Sequence, residues 1–126
     1  MGLRVLLVAS AIVLLFFGCL ALFFTDTAIQ SFQLGEPDVP SRLLARNLGV
    51  ALLVVAAMNL LSLRDLGSPS LRVLLTGNLL LNIGLPLADL TEDFPVTGDY
   101  WFGVAIHVIF IAGFGYYLLK IRGLQT

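Results

Sequence analysis

Five polar residues of this chain lie within or directly beside long apolar stretches, where polar side chains are rare: Arg46, Asn78, Asn82, Asp89 and His107. Arginine and aspartate can hold a charged group, an asparagine amide both donates and accepts hydrogen bonds, and histidine exchanges protons near neutral pH. Polar side chains in such stretches face neighbouring helices or a ligand rather than lipid. These five residues are therefore the candidate ligand-binding residues of the chain.

Three of the candidates form a stripe along the third apolar segment. Successive helical residues advance by about 100°, which places Asn78, Asn82 and Asp89 on one face. Pro86 has no N–H to donate to the carbonyl of Asn82, so that oxygen is also available on the stripe. The stripe predicts either a ligand or ion site, or structural hydrogen bonds to a neighbouring helix with Asp89 at the water interface.

His107 is expected at the same depth as Asn82. At the helical rise per residue, His107 lies roughly 9 Å below Trp101, and Asn82 lies about 10 Å below Asp89. The two side chains can therefore meet. His107 would then contact a quinone oxygen or relay protons, or it would be a neutral imidazole whose hydrogen bond to Asn82 is structural.

Arg46 opens the second apolar segment, at the end where Asp89 is also expected. The sequence predicts an Arg46–Asp89 ion pair that holds the polar head of a ligand. The alternative is that Arg46 extends along the helix to reach lipid phosphates.

Several kinds of chemistry are disfavoured by the residue counts. The one cysteine, Cys19, excludes an intrachain disulfide, and the one histidine excludes a multi-histidine metal site and disfavours haem, since no CxxCH motif is present either. Asp89, Glu92 and Asp93 lack the loop of a calcium site, so no metal site is predicted. No phosphate loop, HExxH motif or Ser-His-Asp order occurs, and no basic patch indicates nucleic acid. The sequence therefore favours a non-catalytic protein over an enzyme.

Composition indicates an integral membrane protein. The 126 residues are 59% hydrophobic and 12% charged, with a mean hydropathy of +1.00. Soluble domains are about 45–50% apolar and about 25% charged. This chain has too few polar residues to cover the surface of a water-soluble globule. Its length predicts a single domain, 1–126.

Four apolar segments position the candidates, at about 5–24, 43–63, 69–90 and 100–121. Each is long enough to cross a hydrocarbon core about 30 Å thick as a helix. Ser41, Ser68 and Asp99 are the predicted N-caps of the last three, and Ala28, Ile29 and Phe32 predict a short interfacial helical turn after the first. The predicted fold is all-α: an antiparallel four-helix transmembrane bundle.

The basic residues predict the orientation. With a cytoplasmic N-terminus, five basic residues lie inside and two outside, while seven of the eight acidic residues lie outside. Such a bias is typical of membrane proteins, and it predicts that both termini are cytoplasmic. The inside set is Arg4, Arg64, Arg72, Lys120 and Arg122.

The layout resembles small four-helix bacterial membrane proteins of the DoxX-like and DUF4345-like type. The resemblance is carried by "ARNLGVALLVVAAMNLL" at the second segment, by the long connection before it, by the polar third segment and by the aromatic fourth segment "YWFGVAIHVIFIAGFGYYL". It implies a compact four-helix bundle in a bacterial inner membrane. Some relatives are associated with redox or quinone partners, but thiol chemistry does not carry over because Cys19 is alone.

Three functional hypotheses follow. The first is a non-catalytic binder of an amphipathic molecule, a lipid or quinone, or an accessory subunit of a membrane complex, with an outer-leaflet pocket between the second, third and fourth spans. The second is a redox or lipid-modifying enzyme subunit that uses His107. The third is a channel or transporter, built as a homo-oligomer, that uses the stripe of Asn78, Asn82 and Asp89.

Overall fold

The computed structural model describes residues 2–31, 36–89 and 98–122, without the side chains of 88, 89, 98–100 and 122. Every regular element in these ranges is a helix. The helices are α1 (Leu3–Phe23), α2 (Thr25–Ser31), α3 (Val39–Ser62), α4 (Pro69–Asp89) and α5 (Gly98–Arg122). Four of them, α1, α3, α4 and α5, are long and apolar enough to cross a membrane. The all-α class and the four predicted long segments are therefore confirmed.

α3 begins earlier than predicted. Its N-cap is Asp38 rather than Ser41, because the Asp38 carboxylate accepts from the Ser41 N–H at 2.8 Å while the Ser41 hydroxyl accepts from the Asp38 N–H at 3.0 Å. This reciprocal capping box places Pro40 in the first helical turn, where proline is tolerated. Hydrogen bonds from Ser41, its side chain first and its backbone second, lower the pKa of the Asp38 carboxyl.

α4 begins at the predicted residue, whereas α5 begins earlier than predicted. α4 begins at Pro69 as predicted, and the Ser68 hydroxyl caps it by accepting from the Ser70 N–H at 3.2 Å. The prediction of Asp99 as the N-cap of α5 is wrong, since the helix already begins at Gly98. The predicted stop at Gly123 lies outside the described residues.

The short helix after the first span is present as α2. It follows α1 almost directly, because the Phe24 N–H bonds Leu20 O at 3.0 Å and the Ala28 N–H bonds Phe24 O at 2.9 Å. Ala28 and Ile29 are buried, as an amphipathic turn requires. Phe32, the third apolar residue of the prediction, lies outside the described residues.

The described chain folds into two compact units. The α1–α3 unit comprises Leu7–Arg64, and the α4–α5 unit comprises Asp65–Thr126 together with Met1–Leu6.

Within the α1–α3 unit, α1 and α3 run in opposite directions. The Asn59 amide donates to the Ser10 hydroxyl at 3.1 Å, and both side chains are buried. Near the other end of the pair, a Cβ on Gly49 would lie only 2.9 Å from Gly18 O. Glycine lets the two backbones approach this closely, as small residues do in membrane helix pairs.

Within the α4–α5 unit, apolar side chains of α4 and α5 form the core, and a hydrogen bond fixes the register of the two helices. The buried apolar residues of these two helices are Leu71 and Leu75 of α4 with Phe110 and Phe114 of α5, and the buried Leu6 lies against Gly113. Asn82 meets His107, whereas Thr76, earlier in α4, lines a cleft with Leu118, later in α5. The two helices are therefore antiparallel.

Candidate functional site

An open cleft of about 410 Å³ lies where α1 ends, α2 begins and the first turns of α3 pass beside them. We refer to it as the Arg46 cleft. Two cationic side chains, two hydroxyls and two aromatic rings line it together with one carboxylate. These residues are Arg42, Arg46, Thr25, Thr27, Phe23, Phe24 and Asp26.

One of the two arginines is already neutralised. Arg42 Nε donates to Asp26 Oδ1 at 2.7 Å, and its Nη2 donates to Asp26 Oδ2 at 3.1 Å. This two-pronged geometry matches the planar guanidinium to the planar carboxylate. It is the only ion pair among the side chains that the structure describes. The pair joins the start of α2 to the start of α3.

Arg46 is positioned by a hydroxyl rather than by a carboxylate. Its Nε donates to Thr25 Oγ1 across a long hydrogen bond of 3.4 Å. The Thr25 hydroxyl in turn donates to Ala21 O at 2.9 Å, so its oxygen is oriented to accept. Thr25 is buried, which makes it a rigid support. Because an arginine carries five N–H groups, the remaining donors on the two Nη atoms can serve a ligand.

The predicted Arg46–Asp89 pair involves a side chain that the structure does not describe. The carboxylate of Asp89 lies outside the described residues, as do Glu92 and Asp93. Asp89 itself is the last residue of α4. The pair therefore stays a prediction.

The second candidate group is a polar ladder in the α4–α5 unit. The Asn78 amide donates to Leu74 O at 3.0 Å, and the Asn82 amide donates to Asn78 O at 2.8 Å. Both asparagines are buried, with exposed fractions of 1% and 6%. Their amides thus bond the backbone of their own helix four residues back.

The ladder ends on His107. Asn82 Oδ1 lies 3.0 Å from His107 Nδ1, as the matched depths of the two residues predict. Because the Asn82 nitrogen already donates to Asn78 O, the atom that faces the imidazole is a carbonyl oxygen, which only accepts. Nδ1 of His107 must carry a proton, and the neutral ring then has its acceptor at Nε2. His107 is half-buried, and the space beside Gly103 is open, since a Cβ added to that glycine would meet no atom within 4 Å.

Pro86 lies inside α4, four residues after Asn82, as predicted. A proline at this position cannot donate to Asn82 O. The stripe therefore contains two amides that each donate to a carbonyl of α4, one histidine contact and one carbonyl that lacks its usual helical donor.

A second cleft of about 440 Å³ follows the groove between α4 and α5, and we refer to it as the Arg72 cleft. Its lining is more apolar than that of the Arg46 cleft. The lining residues are Arg72, Thr76, Leu79, Gly115, Leu118 and Leu119.

Of the residues that line the Arg46 cleft, the sequence identifies only Arg46 as a candidate, and it does not indicate Thr25 and Asp26, which bond Arg46 and Arg42. Thr25 and Asp26 directly follow the first apolar segment, and hydropathy assigns them only to a connection. One signal is available: Arg42 and Arg46 lie four residues apart and so share a helix face, and Asp26 is an acid expected at that same end. The distance between Asp26 and Arg42 along the chain hides their pairing.

Metal chemistry has no candidate site in the described ranges. No group of three or more His, Cys, Asp or Glu side chains comes together there. Cys19 is a free, half-buried thiol of α1.

Comparisons with protein-family models, with curated proteins and with solved structures found no match to this chain.

Proposed function

We propose that this chain is an integral membrane protein of a bacterial inner membrane whose four long helices form an antiparallel bundle, with both termini in the cytoplasm. The length and hydropathy of α1, α3, α4 and α5 support insertion. The excess of Arg and Lys at the ends of the helices that share the side of the N-terminus supports the orientation. In this orientation the Arg46 cleft lies at the outer interface.

Its proposed function is to bind an amphipathic molecule, a lipid or quinone, either by itself or as an accessory subunit of a membrane complex. The observation that carries this proposal is the Arg46 cleft, in which charged donors and exposed aromatic rings lie side by side. Phe23 and Phe24 are 70% and 62% exposed. An amphipathic ligand satisfies both surfaces, because its head can bond the guanidinium while its apolar part covers the rings.

The Asn82–His107 contact favours a second candidate, a redox or lipid-modifying enzyme subunit. As a neutral ring, His107 would accept at Nε2 from a proton donor, and after taking up that proton it would donate from Nε2 to a quinone oxygen, while Asn82 holds the ring through Nδ1. Asn78 would support Asn82 through its backbone carbonyl. The chain offers few other titratable groups at this depth, so the binding role is preferred.

The channel or transporter stays a prediction without a favouring observation. Its stripe relies on the amides of Asn78 and Asn82, and both donate to carbonyls of α4 itself. In such a channel or transporter, Asp89 would be the charged residue of the stripe that lines the ion pathway.

Native mass spectrometry of the protein released from its own membranes tests the binding proposal. We expect a bound amphipathic molecule on the native chain and a large loss of it in Arg46→Gln. Arg64→Gln is the matched control, because it removes the same charge just after the other end of α3 and should leave the bound molecule in place. A native chain that carries no such molecule, or equal occupancy in all three proteins, would contradict the proposal.

A further inference from the structure

The charges of the Arg46 cleft select among the possible head groups. Arg42 and Arg46 bring two positive charges to one face of α3, and Asp26 cancels that of Arg42 through two hydrogen bonds. The cleft therefore has one net positive charge, centred on Arg46. An arginine forms its best contacts with planar or tetrahedral oxyanions that accept two parallel N–H groups.

The Nη donors of Arg46 are available to bind such an oxyanion. Nε donates to Thr25 Oγ1, which orients the guanidinium towards the cleft with its Nη atoms left over. Within the described part of the chain, no other polar atom bonds its Nη atoms. Two N–H groups on one guanidinium edge match two oxygens of one phosphate.

A neutral head group fits this cleft less well. A quinone carbonyl can accept from Arg46 but is neutral, so it would leave the charge of Arg46 without a counter-charge. A phosphomonoester carries about −1.5 to −2 charges at pH 7, more than one unpaired arginine balances. A phosphodiester carries a single charge and offers two unesterified oxygens.

We propose that the Arg46 cleft binds the phosphodiester of an anionic phospholipid, with Arg46 on the phosphate oxygens and Phe23 and Phe24 against the glycerol and upper acyl region. This assignment rests on the proposed function and names its ligand class. Arg42 then takes no part in binding, because its charge is cancelled by Asp26. The ion pair thus keeps the site selective for a single negative charge. Removing the carboxylate of Asp26 should convert the cleft to a site for a doubly charged head.

The experiment uses the full chain in nanodiscs of phosphatidylcholine that carry equal minor fractions of phosphatidylglycerol, phosphatidic acid, a fatty acid and ubiquinone. Native mass spectrometry reports which of these remains bound. We expect phosphatidylglycerol to be enriched on the native chain. Arg46→Gln should lose about tenfold in this enrichment, as expected for a charged pair of hydrogen bonds, Arg46→Lys should lose less, and Arg64→Gln should not change it.

Asp26→Asn supplies an independent result in the opposite direction. It frees Arg42 without removing a cation, so phosphatidic acid should rise relative to phosphatidylglycerol. Preferential retention of ubiquinone or fatty acid through Arg46 would overturn the phosphodiester assignment while leaving the binding function standing. A chain that retains none of the four above its abundance in the disc would overturn both. An Asp26→Asn variant with unchanged preference would overturn the role of the ion pair in selectivity.

Discussion

Arg46 and Thr25 are joined by a hydrogen bond of 3.4 Å from the guanidinium Nε to the hydroxyl oxygen, and this bond links α3 to the first residue of α2. The Thr25 hydroxyl is itself anchored on Ala21 O, at the end of α1. Three helices thus define the position of one cation. The candidate site is built on this contact rather than on a buried pocket.

Thr25→Val should therefore weaken ligand binding while the charge of Arg46 is retained. Valine keeps the buried shape but removes the oxygen that accepts from Nε, so Arg46 becomes mobile. We expect a several-fold loss of bound phosphatidylglycerol, less than in Arg46→Gln. Thr27→Val is the control, since Thr27 also lines the cleft, whereas the hydrogen bond from Arg46 among the described residues goes to Thr25. Native mass spectrometry in nanodiscs measures both, and equal retention in the two variants would refute the positioning role.

Gly49→Ala should destabilise the α1–α3 pair. The added Cβ would lie 2.9 Å from both Gly18 O and Leu22 N, and these are backbone atoms that cannot rotate away. Overpacking of this kind costs about 1–3 kcal/mol. Gly77→Ala is a matched control, because that glycine of α4 has open space around its Cβ position. Unfolding in detergent titrations should show a lower midpoint for the first variant only.

The sequence predicts the long helices well because hydropathy and length alone define them. It also predicts that Asn82 meets His107, since both depths follow from the helical rise. Capping is harder to predict. Asp38 and Ser41 cap α3 jointly, and a pattern search that stops at the first Ser before the apolar run misses the aspartate three residues earlier.

The Arg46 cleft can be predicted only in part. The position of Arg46 at the start of an apolar segment identifies it as a candidate, but its observed partner is Thr25, which the sequence does not indicate. Which residue lies beside Arg46 depends on the bend at Phe24 between α1 and α2, and that bend has no hydropathy signal. The Asp26–Arg42 pair escapes prediction for the same reason.

His107 should be protonated at Nδ1 in its neutral form. The acceptor Asn82 Oδ1 at 3.0 Å enforces this tautomer, because the amide nitrogen is occupied by Asn78 O. Nitrogen-15 NMR of the labelled protein distinguishes the two ring nitrogens directly. Asn82→Leu should remove the preference, and a native protein protonated at Nε2 instead would show that Asn82 does not orient the ring.

Asp38→Ala should lower the thermal stability at neutral pH, and the difference from the native chain should vanish in acid. Hydrogen bonds from Ser41 lower the pKa of the Asp38 carboxyl in the folded state. A lowered folded pKa means that the stabilisation is present above the unfolded pKa, about 3.9, and is lost as the pH falls through the folded value. Glu36→Ala, which removes a neighbouring exposed carboxylate outside the capping box, is the matched control. Melting curves from neutral to acidic pH make the comparison, and a constant difference across that range would argue against the capping role.

Photo-crosslinking shows where an anionic phospholipid sits on the chain. A phosphatidylglycerol probe with a photoreactive group near its head is incorporated into nanodiscs with the native chain, and the labelled residues are mapped by peptide mass spectrometry. We expect label on the residues around the Arg46 cleft, at 23–27 and 42–46, and its loss in Arg46→Gln but not in Arg64→Gln. Label confined to other parts of the chain, such as the lining of the Arg72 cleft, or unchanged by Arg46→Gln, would contradict it.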